Sequence, residues 1–140
     1  MQIQILQNRL EEAQALTESL LESRQISFQE LVPSMLEDKP GVYAIFDRTT
    51  GKTLYVGRTK NIKRRLYTNH LMGTKANARL KKYLAEDGER KDIPDMEAAK
   101  QYLRKNCYFQ YILINDRIRR GQVEGLFSYL LDVYYIHEEH

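Results

Sequence analysis

Two β-rich runs separated by a polar, glycine-ended stretch constrain this chain more than any other feature. They are Gly41-Val42-Tyr43-Ala44-Ile45-Phe46, the loop Asp47-Arg48-Thr49-Thr50-Gly51, and Lys52-Thr53-Leu54-Tyr55-Val56-Gly57. Branched and aromatic residues on either side of such a loop specify a β-hairpin. Pairing across a five-residue loop sets Phe46 against Lys52, and therefore Tyr43 against Tyr55. That register puts both tyrosines on one face as directly opposed neighbours, with Val42, Ala44, Leu54 and Val56 on the other.

Pro40 and Gly41 mark the change to this alternating pattern from a helical one. Residues 3 to 23 carry Ile3, Leu6, Leu10, Ala13, Leu16, Leu20 and Leu21 at spacings near three and four, with no Gly or Pro between them. The periodicity predicts an amphipathic helix whose stripe either packs on its own domain or seams against a second copy as a homodimer. A second short helix is expected after Ser27, limited by Pro33. Beyond the hairpin, Asn61 is a candidate N-cap for a helix to about Asn69, with Ile62, Leu66 and Leu71 toward the core and Lys60, Lys63 and Arg64 toward water. Helices near 76–84 and 96–105, a third strand in Cys107-Tyr108-Phe109-Gln110-Tyr111-Ile112-Leu113-Ile114, and a last helix over about 122–136 complete the reading. The division is residues 1–39 as an N-terminal helical extension and 40–140 as the main domain.

The 140 residues are 42% hydrophobic and 29% charged, the balance of a soluble globular domain. No run approaches the roughly 20 apolar residues that span a bilayer, and the first residues lack the pattern of a secretory signal. Cys107 is the only cysteine, which excludes an intrachain disulfide. With only His70, His137 and His140 beside it, no zinc-type ligand spacing can be assembled. A reducing cytoplasm is the expected compartment. Charge is unevenly spread: residues 1–40 carry −4 and residues 41–140 carry +7. A basic body attracts phosphates by displacing the counterions condensed on nucleic acid.

The tripeptides Gly41-Val42-Tyr43 and Tyr55-Val56-Gly57, with the basic segment that follows and the later Arg65 and Glu124, resemble the GIY-YIG nuclease superfamily in its GVY/YVG variant. The resemblance covers about residues 40–136. It implies an α+β fold, a small three-stranded antiparallel sheet flanked by helices, carrying the N-terminal helix as an extension. The activity it implies is that of an endonuclease hydrolysing phosphodiester bonds with one divalent metal, Mg²⁺ or Mn²⁺. Nucleic acid is the implied partner, DNA ahead of RNA, and the alternative is a catalytically weakened nucleic-acid-binding module of the same fold.

Residue by residue, the resemblance implies that Tyr43 and Tyr55 line the active site and position or activate the attacking water. For a phenol with an ordinary pKa near 10, that role requires neighbouring cations or the metal to lower it. It further implies that Arg65 clamps the phosphate, Glu124 binds the metal, Gly41 belongs to the motif, and Gly57 serves a tight turn from strand toward helix. Arg58, Lys60, Lys63 and Arg64 are the candidate nucleic-acid contacts. Many members place a His or Tyr one turn after the arginine. Here that position is Asn69, which cannot take a proton, and His70 points about 100° away from it on a regular helix. The terminal Asn of many members has no counterpart before His140.

Overall fold

A computed structural model describes residues 1–136, so His137 and His140 lie outside the described residues. The chain runs as helix α1 (Ile3–Glu22), strand β1 (Ile26–Ser27), a 3₁₀ turn (Pro33–Met35), strands β2 (Gly41–Asp47) and β3 (Thr53–Thr59), and a π-helical segment (Arg64–Leu71). Helices α2 (Arg79–Glu86) and α3 (Met96–Asn106), strand β4 (Cys107–Leu113) and helix α4 (Arg117–Leu130) follow. The fold is α+β, with an antiparallel sheet in the order β1-β4-β2-β3. The sheet has four strands where three were expected. The extra strand is a two-residue pairing of Ile26 with Phe109 and Ser27 with Tyr108, too short to leave a pattern in sequence. Where a short helix was expected after Ser27 the chain makes turns, the last of them the 3₁₀ turn Pro33–Met35.

Side chains fill both faces of the sheet because alternate residues of each strand point opposite ways. On one face Tyr43, Ile45, Tyr55 and Phe109 are buried with Ile62, Leu66 and Leu71 of the π segment, Leu80 and Leu84 of α2, and Leu103 of α3. On the other, Val42, Ala44 and Val56 are buried with Val123 and Phe127 of α4 and Leu20 of α1. The segment ahead of Pro40 enters both layers: Leu20 joins the second, and Ile26, Phe28, Leu31 and Leu36 join the first. Gln110 of β4 fastens it, its amide donating to the carbonyls of Leu21 and Ser23 at 2.9 and 2.7 Å. The first half of α1 keeps Ile3, Leu6 and Leu10 exposed.

The hairpin register differs from the expected one. Tyr43 stands opposite Gly57 and Ile45 opposite Tyr55, while Phe46 pairs with Thr53, so the register shifts at Ile45/Phe46. Such a bulge adds one residue to a strand. It sends Leu54 into the same core as Tyr43 and Tyr55, not to the face of Val42 and Val56. The slip for the tyrosines amounts to two residues, which preserves the face, so they remain together as diagonal neighbours. Asp47 organises the turn, its carboxylate accepting from the Thr49 amide at 2.8 Å and from the Tyr102 hydroxyl, and Gly51 takes the positive φ of 74° that the return requires.

The last helix starts five residues before the expected position, at Arg117, with the Asp116 carboxylate accepting from the Arg119 amide at 3.0 Å as its N-cap. It ends at Leu130, and the chain then turns back so that the amides of Tyr134 and Tyr135 donate to the carbonyls of Thr53 and Leu54 on β3. Among the described residues no helix is long and apolar enough to cross a membrane.

Candidate active site

Why the segment after β3 winds as a π-helix follows from its apolar spacing. Leu66 and Leu71 are five residues apart and both buried. On an α-helix five residues turn through about 140° beyond a full turn, which would drive one of them out of the core. Bonding from i to i+5, as from the Met72 amide to the Tyr67 carbonyl, brings such pairs onto one face. The same winding aligns Arg65 with His70. The expectation that His70 points away from the site is therefore corrected by one inserted residue per turn. Asn61 does cap the segment, its side chain accepting from the Arg64 amide at 3.0 Å. At the other end the Lys81 ammonium donates to the carbonyls of Leu71 and Gly73 at 2.7 and 2.8 Å.

His70 then meets Tyr43. The Tyr43 oxygen accepts from Arg65 Nε at 3.2 Å and lies 2.6 Å from His70 Nε2. An arginine has no acceptor, and the Nδ1-protonated tautomer of His70 gives the phenol proton an acceptor in Nε2. That Nδ1 is buried without a hydrogen-bond partner among the described residues. The Tyr43 and Tyr55 rings stack 6.2 Å apart at 17°, and His70 stands edge-on to both, at 5.4 and 4.9 Å. Arg65 is half-buried and contacts both phenols.

Electrostatics keep Tyr43 and His70 neutral beside the charged Arg65. Burial, followed by repulsion from Tyr55, pushes the Tyr43 phenol well above its ordinary value, and Arg65 does not offset it; Glu124 adds to the rise. The cationic lowering expected of Tyr43 does come from Arg65, through its charge and its hydrogen bond, but burial outweighs it. Burial, then the positive charges of Arg65, Lys81 and Arg79, hold His70 well below 6.5. Burial disfavours the Arg65 charge, but the phenols outweigh it and its pKa rises. Burial also brings Lys81 down to about 8.

Gly57 has a different reason from the one expected. It lies inside β3 opposite Tyr43, and a Cβ there would overlap the Tyr43 hydroxyl and ring, with Cε1 only 2.9 Å away. Gly41 is similarly pressed against the Ile112 carbonyl of β4.

Glu124 comes from the middle of α4, partly exposed, with its carboxylate 3.8 Å from Arg58 Nε. Gly121 leaves room for that guanidinium, since a Cβ there would run into Arg58 Nη1. Among the other candidate contacts, Lys63 is engaged by Asp38 at 3.1 Å, whereas Lys60 and Arg64 are exposed. No group of three or more His, Cys, Asp or Glu among the described residues is placed to hold a metal. A cation here would have one protein ligand, and Glu124 suits that: its hard oxygens face only a loose ion pair, leaving coordination to waters and a phosphate.

Residues 39–102 match the family model of the GIY-YIG catalytic domain. No curated protein matches the chain. The matched stretch spans β2, β3, the π segment and α2, and so holds Tyr43, Tyr55, Arg65 and His70, while Glu124 lies beyond it. With Tyr43 and Tyr55 stacked across one sheet face and the family model spanning both, residues 39–102 are a GIY-YIG catalytic domain, and the activity this implies is that of a nuclease on nucleic acid.

Proposed function

We propose that the protein is a metal-dependent endonuclease hydrolysing phosphodiester bonds in DNA, with Arg65 on the scissile phosphate and Glu124 as the cation ligand. The observation that carries this reading is the holding of Arg65 by two phenols of the motif. An arginine that gives Nε to one phenol and one further N–H to another still has Nη donors left for non-bridging phosphate oxygens, and its fixed fork stabilises the charge that builds in the transition state.

Tyr43 is fully buried, and so is His70. We therefore assign both as positioning residues: His70 accepts a hydrogen bond from the phenol, which turns a Tyr43 lone pair toward Arg65. Tyr55, stacked on Tyr43, supports the same guanidinium. A cation on Glu124, Mg²⁺ or Mn²⁺, would supply Lewis acidity at the phosphoryl oxygens. The net charge of +7 over residues 41–140 favours a polyanionic substrate.

The test pairs nicking of supercoiled plasmid, with and without Mg²⁺ or Mn²⁺, with thermal melting of wild type and Glu124→Ala. Wild type should nick only with the cation. The variant should lose several kcal/mol of transition-state stabilisation, beyond about a hundredfold in rate. Its melting should barely move, because an exposed ion pair such as Arg58–Glu124 contributes at most about 1 kcal/mol. Equal nicking by both proteins refutes the role of Glu124. Absence of cation-dependent nicking by wild type on any DNA or RNA leaves a binding module.

A further inference from the structure

We propose that the substrate strand leaves the catalytic cluster along a cationic cleft between the end of β3 and the start of α4, where Lys60 and Arg117 hold backbone phosphates flanking the scissile one. The inference rests on the nuclease reading and adds to it a second binding site. The cleft is about 500 Å³, open to solvent, and lined by Arg58, Thr59, Lys60, Arg117, Ile118 and Arg120. Four of those six residues are cations and none is acidic. The nearest carboxylate in sequence, Asp116, is turned to the Arg119 amide as the helix cap.

The four cations are not equivalent. Arg120 is buried and donates through Nη1 to the carbonyls of Ile114 and Asn115 at 3.2 and 2.6 Å, so it builds the wall. Arg58 faces Glu124. Lys60 and Arg117 are exposed and have neither a hydrogen-bond nor an ion-pair partner among the described residues. Unpaired cations gathered in one cleft concentrate counterions, and a phosphate backbone gains affinity by releasing them. Ile118, 65% exposed on the same wall, offers an apolar surface for a sugar or base edge between phosphate contacts.

Continuity with the cluster runs through Arg58. It lines the cleft and pairs with Glu124, whose charge is felt at the Tyr43 phenol that holds Arg65. A strand with one phosphate at Arg65 therefore passes Arg58 on its way to Lys60 and Arg117.

The experiment measures fluorescence anisotropy of labelled duplex DNA across a salt series, in chelator so that no cleavage occurs, for wild type, Lys60→Ala/Arg117→Ala, and a charge-matched control, Lys82→Ala/Lys105→Ala. The control residues are exposed on α2 and α3 and do not line the cleft. The cleft variant should reduce the slope of log K against log salt by about two units, since each phosphate contact contributes about 0.9. The control should change the slope by less than half as much, and all three proteins should melt alike. An unchanged slope in the cleft variant, or an equal loss in the control, overturns the cleft while plasmid nicking by the same preparation leaves the nuclease reading standing. A wild type that binds no DNA and nicks none overturns both.

Discussion

Tyr43, Tyr55 and His70 make up one half of the site, packed among aliphatic side chains and sealed from water. Arg58, Glu124 and Lys60 make up the other, on the rim of an open cleft, held by nothing closer than a 3.8 Å ion pair. Arg65 joins them, half-buried, its Nε in the first half. The contrast teaches how one small domain sets a fixed charge beside an adjustable one. In the sealed half, neutral groups in low dielectric hold geometry through hydrogen bonds that are expensive to leave unmade. In the open half, charges stay solvated, which keeps them free to exchange one partner for a cation or a phosphate.

The strongest blow to the sealed half is Gly57→Ala. The new methyl would displace the Tyr43 ring, and with it the partner of Arg65 and His70. Overpacking of this kind costs about 1–3 kcal/mol, so chemical denaturation should show that loss and nicking should fall with it. Wild-type stability and activity in the variant would mean that Tyr43 is loosely held.

A second measurement sharpens the contrast through pH. His70 is neutral in the folded protein well below 6.5, whereas an unfolded chain takes up a proton on it near 6.5. Below that pH the unfolded state binds more protons, so stability present above 6.5 is lost as the pH falls. Relative to His70→Phe, wild type should lose up to about 1.4 kcal/mol per pH unit below 6.5. A constant difference between the two proteins from pH 8 to pH 5 would show that His70 takes up its proton alike in the folded and unfolded chain, against a lowered pKa.

The smallest effect belongs to the open half. Arg58→Ala removes only an exposed ion pair, and the unfolding free energy should stay within about 0.5 kcal/mol of wild type. A larger drop would show that the rim is as rigid as the interior.

The hairpin, the long first helix, α3 and β4 were legible because their periodicities are local. So were Tyr43 and Tyr55 as partners, since a two-residue slip leaves the face unchanged. The bulge at Leu54 was not legible, because it is fixed from outside by Tyr134 and Tyr135 bonding to Thr53 and Leu54. Nor was the π winding: its one trace in residues 64–71 is the five-residue spacing of Leu66 and Leu71, which demands it only once both are buried. The start of α4 did leave a signal, Asp116 three residues before Arg119, which the basic run Arg117–Arg120, with Ile118 its single apolar residue, masked. Asp38 holding Lys63 depends on a contact across 25 positions, beyond any local pattern.

The strand order β1-β4-β2-β3 has a consequence for synthesis. The strand that joins β1 to β2 is the last of the four to be made, and Glu124 and the amides that fasten the bulge come later still. While a ribosome is still short of β4, a nascent chain holds the hairpin with Tyr43, Tyr55 and Arg65 but neither the sheet's second interior strand nor the carboxylate. With Glu124 as the proposed cation ligand, the half that carries Tyr43, Tyr55 and Arg65 lacks its carboxylate until residues some sixty positions after Arg65 have been made and return to it, so that the motif precedes the rest of the site in synthesis.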